Sequence, residues 1–96
     1  MVIIGIITFP TESSKEMGKR FMEVPAYITK RGPYFSSELG VGIKSISIFE
    51  FEPSKMAEAT AFVSDFFAMY IGVPGYTYNI STWLEAMEAL KLVGLE

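Results

Sequence analysis

Glu50 and Glu52 stand two residues apart in a strand-like run, where two carboxylates can share a proton or hold a hard cation. The commoner role of such a pair, next to Pro53, is a solvated strand end. Two other sets carry more chemistry. Ser45, Ser47, Phe49 and Phe51 alternate along one segment, and Thr77, Asn79, Ser81 and Trp83 along another. Alternation gathers each set on one face of a strand. There the hydroxyls and the Asn79 amide can orient a small ligand, and the rings can supply an apolar wall. The plainer alternatives are an edge ladder partly facing water for Thr77, Asn79 and Ser81, and packing under the last helix for Trp83. Tyr34, Tyr70, Tyr76 and Tyr78 carry phenols able to donate a proton, although a buried tyrosine more often just satisfies one hydroxyl. Lys30-Arg31, beside Gly32, can grip an anion or simply end a helix in solvent.

Absent residue types exclude more than the present ones establish. The chain has no histidine and no cysteine. Imidazole ligands, the commonest general base at neutral pH, thiol nucleophiles, thiolate metal sites and disulfides are all removed. Only oxygen ligands remain, which suit Mg²⁺ or Ca²⁺, so neither a transition metal nor a cofactor is expected. Gly72-Val73-Pro74-Gly75 and Gly40-Val41-Gly42 are glycine-rich but do not follow a strand and open a helix as a phosphate cradle does, and so are turns.

Eight basic residues against eleven acidic ones give a net charge of −3, with the basic residues scattered. Nucleic-acid binding needs a concentrated positive face, so none is expected. No apolar run is long enough for a bilayer. The apolar run Met1–Phe9 lacks the basic flank and small-residue cleavage site of a secretion signal, which predicts a cytoplasmic protein.

The elements that must position these residues read in order. Val2–Phe9 is an almost unbroken β-branched run, as a central strand covered on both faces requires. Ser13 and Glu16 form a capping box for a first helix with Met17, Phe21, Val24 and Ile28 along one stripe, broken near Val24 by Pro25. Tyr34–Leu39 reads as a short strand and Ile43–Glu52 as a long one, with Ile46 and Ile48 on its apolar row. Pro53 opens a second helix through Tyr70, whose Phe62, Phe66, Phe67 and Met69 have core or interface spacing. Tyr76–Ser81 is a fourth strand. Thr82 and Glu85 form a second capping box, leading a last helix to Gly94.

The order β-α-β-β-α-β plus a terminal helix predicts an α+β chain, one ferredoxin-like domain over residues 1–96. Its four-stranded antiparallel sheet should have the first and third strands in the middle and helices on one face. A chain of 96 residues, half of them hydrophobic and without disulfides, needs a further source of stability, and a homodimer through the bare sheet face supplies it. In this reading the mixed rows face the partner. Ser45, Ser47, Phe49, Thr77, Asn79, Ser81 and Trp83 would then line a ligand cavity between subunits.

Element order, length, a semi-polar second sheet face and a helix after the last strand resemble the dimeric α/β-barrel superfamily. The resemblance implies two ferredoxin-like subunits packed sheet to sheet around an interior that often holds a small ligand. The haem-handling branch ligates iron through histidine and is closed to this chain. Asn79 and Trp83 resemble the polar, non-titrating groups of the cofactor-free oxygenases, but no shared motif assigns them those roles. The expected function is a small-molecule-binding or accessory protein with its ligand inside a homodimer. The alternatives are a cofactor-independent oxygenase or isomerase acting on a small aromatic or polyketide-like compound, and a structural interaction module with a dry interface.

Overall fold

The structure is a computed structural model that describes residues 1–38, 40 and 42–94. Four strands, β1 (Val2–Phe9), β2 (Thr29–Glu38), β3 (Gly42–Glu50) and β4 (Thr77–Trp83), form one antiparallel sheet in the order β2-β3-β1-β4. The two most apolar runs, β1 and β3, occupy the centre as their composition predicts. Three helices accompany the sheet: α1 (Ser14–Gly18), α2 (Met56–Ala68) and α3 (Ala86–Leu92). None of the helices among the described residues is long and apolar enough to cross a membrane.

The first crossover departs from expectation. A helix reaching Val24 is predicted, but α1 ends at Gly18 and residues 19–28 run irregularly back to the sheet. Gly18 weakens helix propagation and Pro25 forbids it about two turns further on. The residues between them are too few to form a second helix alone. Ser13 does not cap: its hydroxyl donates to the Pro74 carbonyl at 2.7 Å, latching this crossover to the loop before β4.

The second strand is longer than predicted and begins at Thr29. Gly32 and Pro33 lie within it, at a register shift between Arg31 and Tyr34. An edge strand tolerates this, because a missing ladder donor there faces solvent. The predicted end of this strand at Leu39, and Val41 in the following turn, lie outside the described residues. β4 extends through Trp83, so the capping box of the last helix forms between Glu85 and Glu88 rather than Thr82 and Glu85.

The core lies between the sheet and α2. Ala59, Val63, Phe66 and Phe67 bury one stripe of the helix against Ile3, Ile7, Phe9 and Phe49 of the central strands. The rings meet edge to face, with centroids 5.4 Å apart for Phe49–Phe66 and 5.3 Å for Phe66–Phe67.

That packing reverses the expected orientation of β3. Ser45, Ser47 and Phe49 lie buried on the helix side, while Ile46 and Ile48 are half-buried on the bare face. The reason is volume. Gly5 of β1 pairs with Ser47 of β3, and this shallow place in the sheet receives the Phe67 ring. Large side chains above need small ones below. In these serines small size matters more than polarity, so a row too polar for a dry core still faces the helices.

Candidate functional site

Ser45 and Ser47 lie on the central strand β3, and neither hydroxyl makes a side-chain hydrogen bond among the described residues. Both open instead into a cavity of about 680 Å³ within the subunit. This volume sits inside the roughly 300–1,000 Å³ range of small-molecule sites.

Each wall of the cavity comes from a separate element. The sheet supplies a floor of Ile7, Phe9, Ser45 and Ser47, and α2 with its exit supplies Phe66, Phe67, Met69 and Tyr70. The first crossover provides the roof, through Met17, Phe21, Met22 and Val24, and β2 closes the side with Lys30 and Phe35. The cavity exists because the crossover fails to become a full helix. A regular helix would have packed its stripe onto the floor, whereas the irregular segment arches over it. Phe21 is 86% exposed, an unusual position for a phenylalanine at the mouth of an apolar space.

Charge within the cavity is sparse and unevenly engaged. The Arg20 guanidinium is occupied: it donates to the Met69 carbonyl at 2.9 Å and the Ile71 carbonyl at 3.3 Å, and approaches Glu16 at 3.9 Å. Lys30 has no carboxylate partner among the described residues. Its Nζ lies 5.4 Å from the centroid of Phe66 and donates a long 3.4 Å hydrogen bond to the Gly32 carbonyl. Desolvation lowers the pKa of this ammonium below the ordinary lysine value. Burial raises the Tyr70 phenol in the same cavity, keeping it protonated.

The seven residues expected to line one ligand site divide between the two faces of the sheet. Ser45 and Ser47 reach the cavity. Phe49 is fully buried beneath α2 and supports the floor from within the core. Thr77, Asn79, Ser81 and Trp83 occupy the opposite, bare face, where Asn79 is paired with Ile6 and Ser81 with Ile4. There the Trp83 indole donates to the Ser81 hydroxyl at 2.8 Å, and the Thr8 and Thr77 hydroxyls share a hydrogen bond. The surface therefore has an aliphatic centre of Ile4, Ile6, Ile46 and Ile48 with a hydroxyl-rich flank on β4.

Other candidates resolve into structural roles. Glu50 accepts from Arg31 at 2.9 Å, and Glu52 is exposed. No group of three or more carboxylates among the described residues could hold a metal ion. Tyr76 donates to the Phe67 carbonyl at 2.9 Å, tying β4 to the end of α2. Burial, with Tyr78 and Tyr70 adding to it, pushes the Tyr76 phenol well above the usual tyrosine range.

Comparison with known proteins adds no relative: no protein-family model, curated protein or solved structure matches the chain.

The crossover residues Met17, Phe21 and Met22 line the cavity and were missed by sequence reasoning, which singled out Lys30 only as an anion grip or a helix end and not beside these serines. The signal was Gly18 with Pro25, two helix-breaking residues spaced too closely for a helix between them. Read that way, residues 19–28 become an arch over the small residues of β3 rather than a packed helix.

Proposed function

We propose that this protein binds a compact, largely apolar small molecule in the cavity beneath the first crossover. The observation that carries this reading is the joint presence of apolar walls and two serine hydroxyls that make no side-chain hydrogen bond among the described residues. The hydroxyls are not buried orphans but open onto the cavity, and an apolar hollow with a few convergent polar groups is the ordinary form of a ligand site. The ligand's apolar body would lie against Phe66, Phe67 and Met17, with its polar end toward Ser45, Ser47 and Lys30.

The test uses Nile red, an uncharged apolar dye. One dye should bind per subunit, and Ser45→Phe should weaken binding by roughly tenfold or more while the circular dichroism spectrum stays unchanged. Dye binding that is indifferent to Ser45→Phe would sink this reading.

We further propose that the chain is a ferredoxin-like plait that pairs sheet to sheet as a homodimer, as in the dimeric α/β barrels. The strand order β2-β3-β1-β4 and the bare-face isoleucines Ile4, Ile6, Ile46 and Ile48 support this. The contact between the two sheets would be aliphatic at its centre, with Thr77, Asn79, Ser81 and Trp83 toward one margin. In this arrangement the ligand sits on the far side of each sheet from the partner. Native mass spectrometry of the purified protein reads subunit number and any retained ligand in one measurement.

A further inference from the structure

Lys30 and Arg31 are neighbours in sequence and opposites in position. Alternation along β2 sends the Arg31 guanidinium to the bare face, where Glu50 of β3 accepts from it at 2.9 Å. It sends Lys30 to the helix side, across from Phe49, where no carboxylate pairs with it among the described residues. Lys55 also lies over a ring, 5.7 Å from the centroid of Tyr27, but it is exposed and outside the cavity. Lys30 is half-buried in the cavity wall. Two hydroxyls share its face. Ser47 is diagonal to it on β3, and Ser45 follows on the same row. No residue of β2 is paired with Ser47, because the register shifts between Arg31 and Tyr34, which leaves that serine open to the cavity. Among the described residues the other charged members of the lining are Arg20 and Glu23. Arg20 is engaged by two carbonyls and Glu16, and Glu23 is exposed at the roof. The floor of the cavity therefore carries one unmatched positive charge.

We propose that the cavity takes a single-chain fatty acid in its ionised form, its carboxylate held by the Lys30 ammonium with the Ser45 and Ser47 hydroxyls. The inference rests on the small-molecule reading of the cavity and adds the class and charge of the ligand. The Phe66 ring, its centroid 5.4 Å from Nζ, stabilises Lys30 as a cation. An ammonium has three N–H donors, and this one spends a single long bond on the Gly32 carbonyl. A carboxylate accepts through both oxygens, and such charge-assisted bonds are the stronger kind. One unmatched cation suits a monoanion. A phosphate monoester carries about −1.5 to −2 at neutral pH and would leave negative charge unbalanced against apolar walls. Met17, Met22 and Met69 give those walls an adaptable surface, which suits a flexible hydrocarbon chain.

The test compares decanoate, 1-decanol and decylammonium, one chain with three head charges, by calorimetry on the intact protein near neutral pH. Decanoate should bind roughly tenfold more tightly than 1-decanol, and decylammonium more weakly than either. Lys30→Met should lose the preference for decanoate, and Lys30→Arg should keep most of it. Binding of 1-decanol needs the cavity but not the charge, so its persistence in Lys30→Met reports an intact fold. Equal affinity of the wild type for decanoate and 1-decanol overturns the fatty-acid inference and leaves the apolar-ligand reading standing. If none of the three binds or displaces Nile red, both are overturned. A decanoate preference that survives in Lys30→Met also overturns the inference, since the carboxylate then rests on another group.

Discussion

The Phe67 ring occupies the place where Gly5 would carry a side chain: a Cβ built on Gly5 would lie 2.1 Å from Cζ and 2.5 Å from Cε2 of Phe67. The glycine is there for space and not for backbone freedom. Gly5→Ala should therefore destabilise the protein by about 1–3 kcal/mol, the usual range for overpacking a core. Phe67→Leu in the same chain should recover part of that loss. Denaturant midpoints of the two single variants and the double variant check it, and simple additivity would show that the ring is not the obstacle.

Ser47→Ala removes a hydroxyl that bonds to no other side chain, so stability should change by no more than about 0.5 kcal/mol. Ligand affinity should fall more. Hydrogen-bonded polar ligands should lose on the order of 1 kcal/mol relative to wild type. Matched thermal melts and binding isotherms separate the two effects.

The opposite face of the sheet makes a different prediction. Ile6→Asp and Ile46→Asp place a charge at the centre of the bare face, away from the Ile3–Phe49–Phe67 core. Sedimentation should show dimer converted to monomer, while far-ultraviolet dichroism and Nile red binding persist. Asn79→Leu, on the flank of the same face, should leave the cavity untouched and strengthen self-association. A wild type that sediments as a monomer at micromolar concentration would remove the dimer altogether.

Alkaline pH should unfold the protein through its tyrosines. The Tyr76 and Tyr70 phenols are raised above the ordinary tyrosine value of 10.0, chiefly by burial. The native state thus holds these protons more tightly than the unfolded chain. Their stabilising effect is complete below the unfolded value and is lost as pH rises through the folded one. Denaturant midpoints measured from about pH 9 to about pH 11 should fall, and Tyr76→Phe should flatten the fall while lowering stability at neutral pH. An unchanged midpoint over that range would contradict the assignment.

The strands and their positions were legible because period and branching are local. Val2–Phe9 reads as a central strand and is one, and the second helix falls between Pro53 and Gly72 as its breakers require, although α2 spans only Met56–Ala68 and stops short of the expected Tyr70. The facing of β3 was not legible. Its two rows, Ile46 with Ile48 and Ser45 with Ser47, differ in polarity in one sense and in volume in the other. Only the phenylalanines of α2 decide which difference matters, because they require a low place formed by Gly5 and Ser47. The site moved for the same reason. Lys30 looked like a helix end until the first crossover proved unable to stay helical past Gly18, which brought β2 forward and set the amine beside Phe66.

The sheet's two margins differ in their resistance to fibrillar assembly. On β2, Gly32, Pro33 and the register shift interrupt the row of open backbone groups, with Lys30 and Arg31 adjoining. The other margin, β4, has no such interruption: from Tyr76 to Leu84 it carries no charge, no proline and no glycine, and it is rich in aromatic and β-branched residues. Uncharged margins of this kind invite another strand to add to them. Any amyloid-like growth of this protein should start at β4, and a lysine at the exposed Thr82 should slow it.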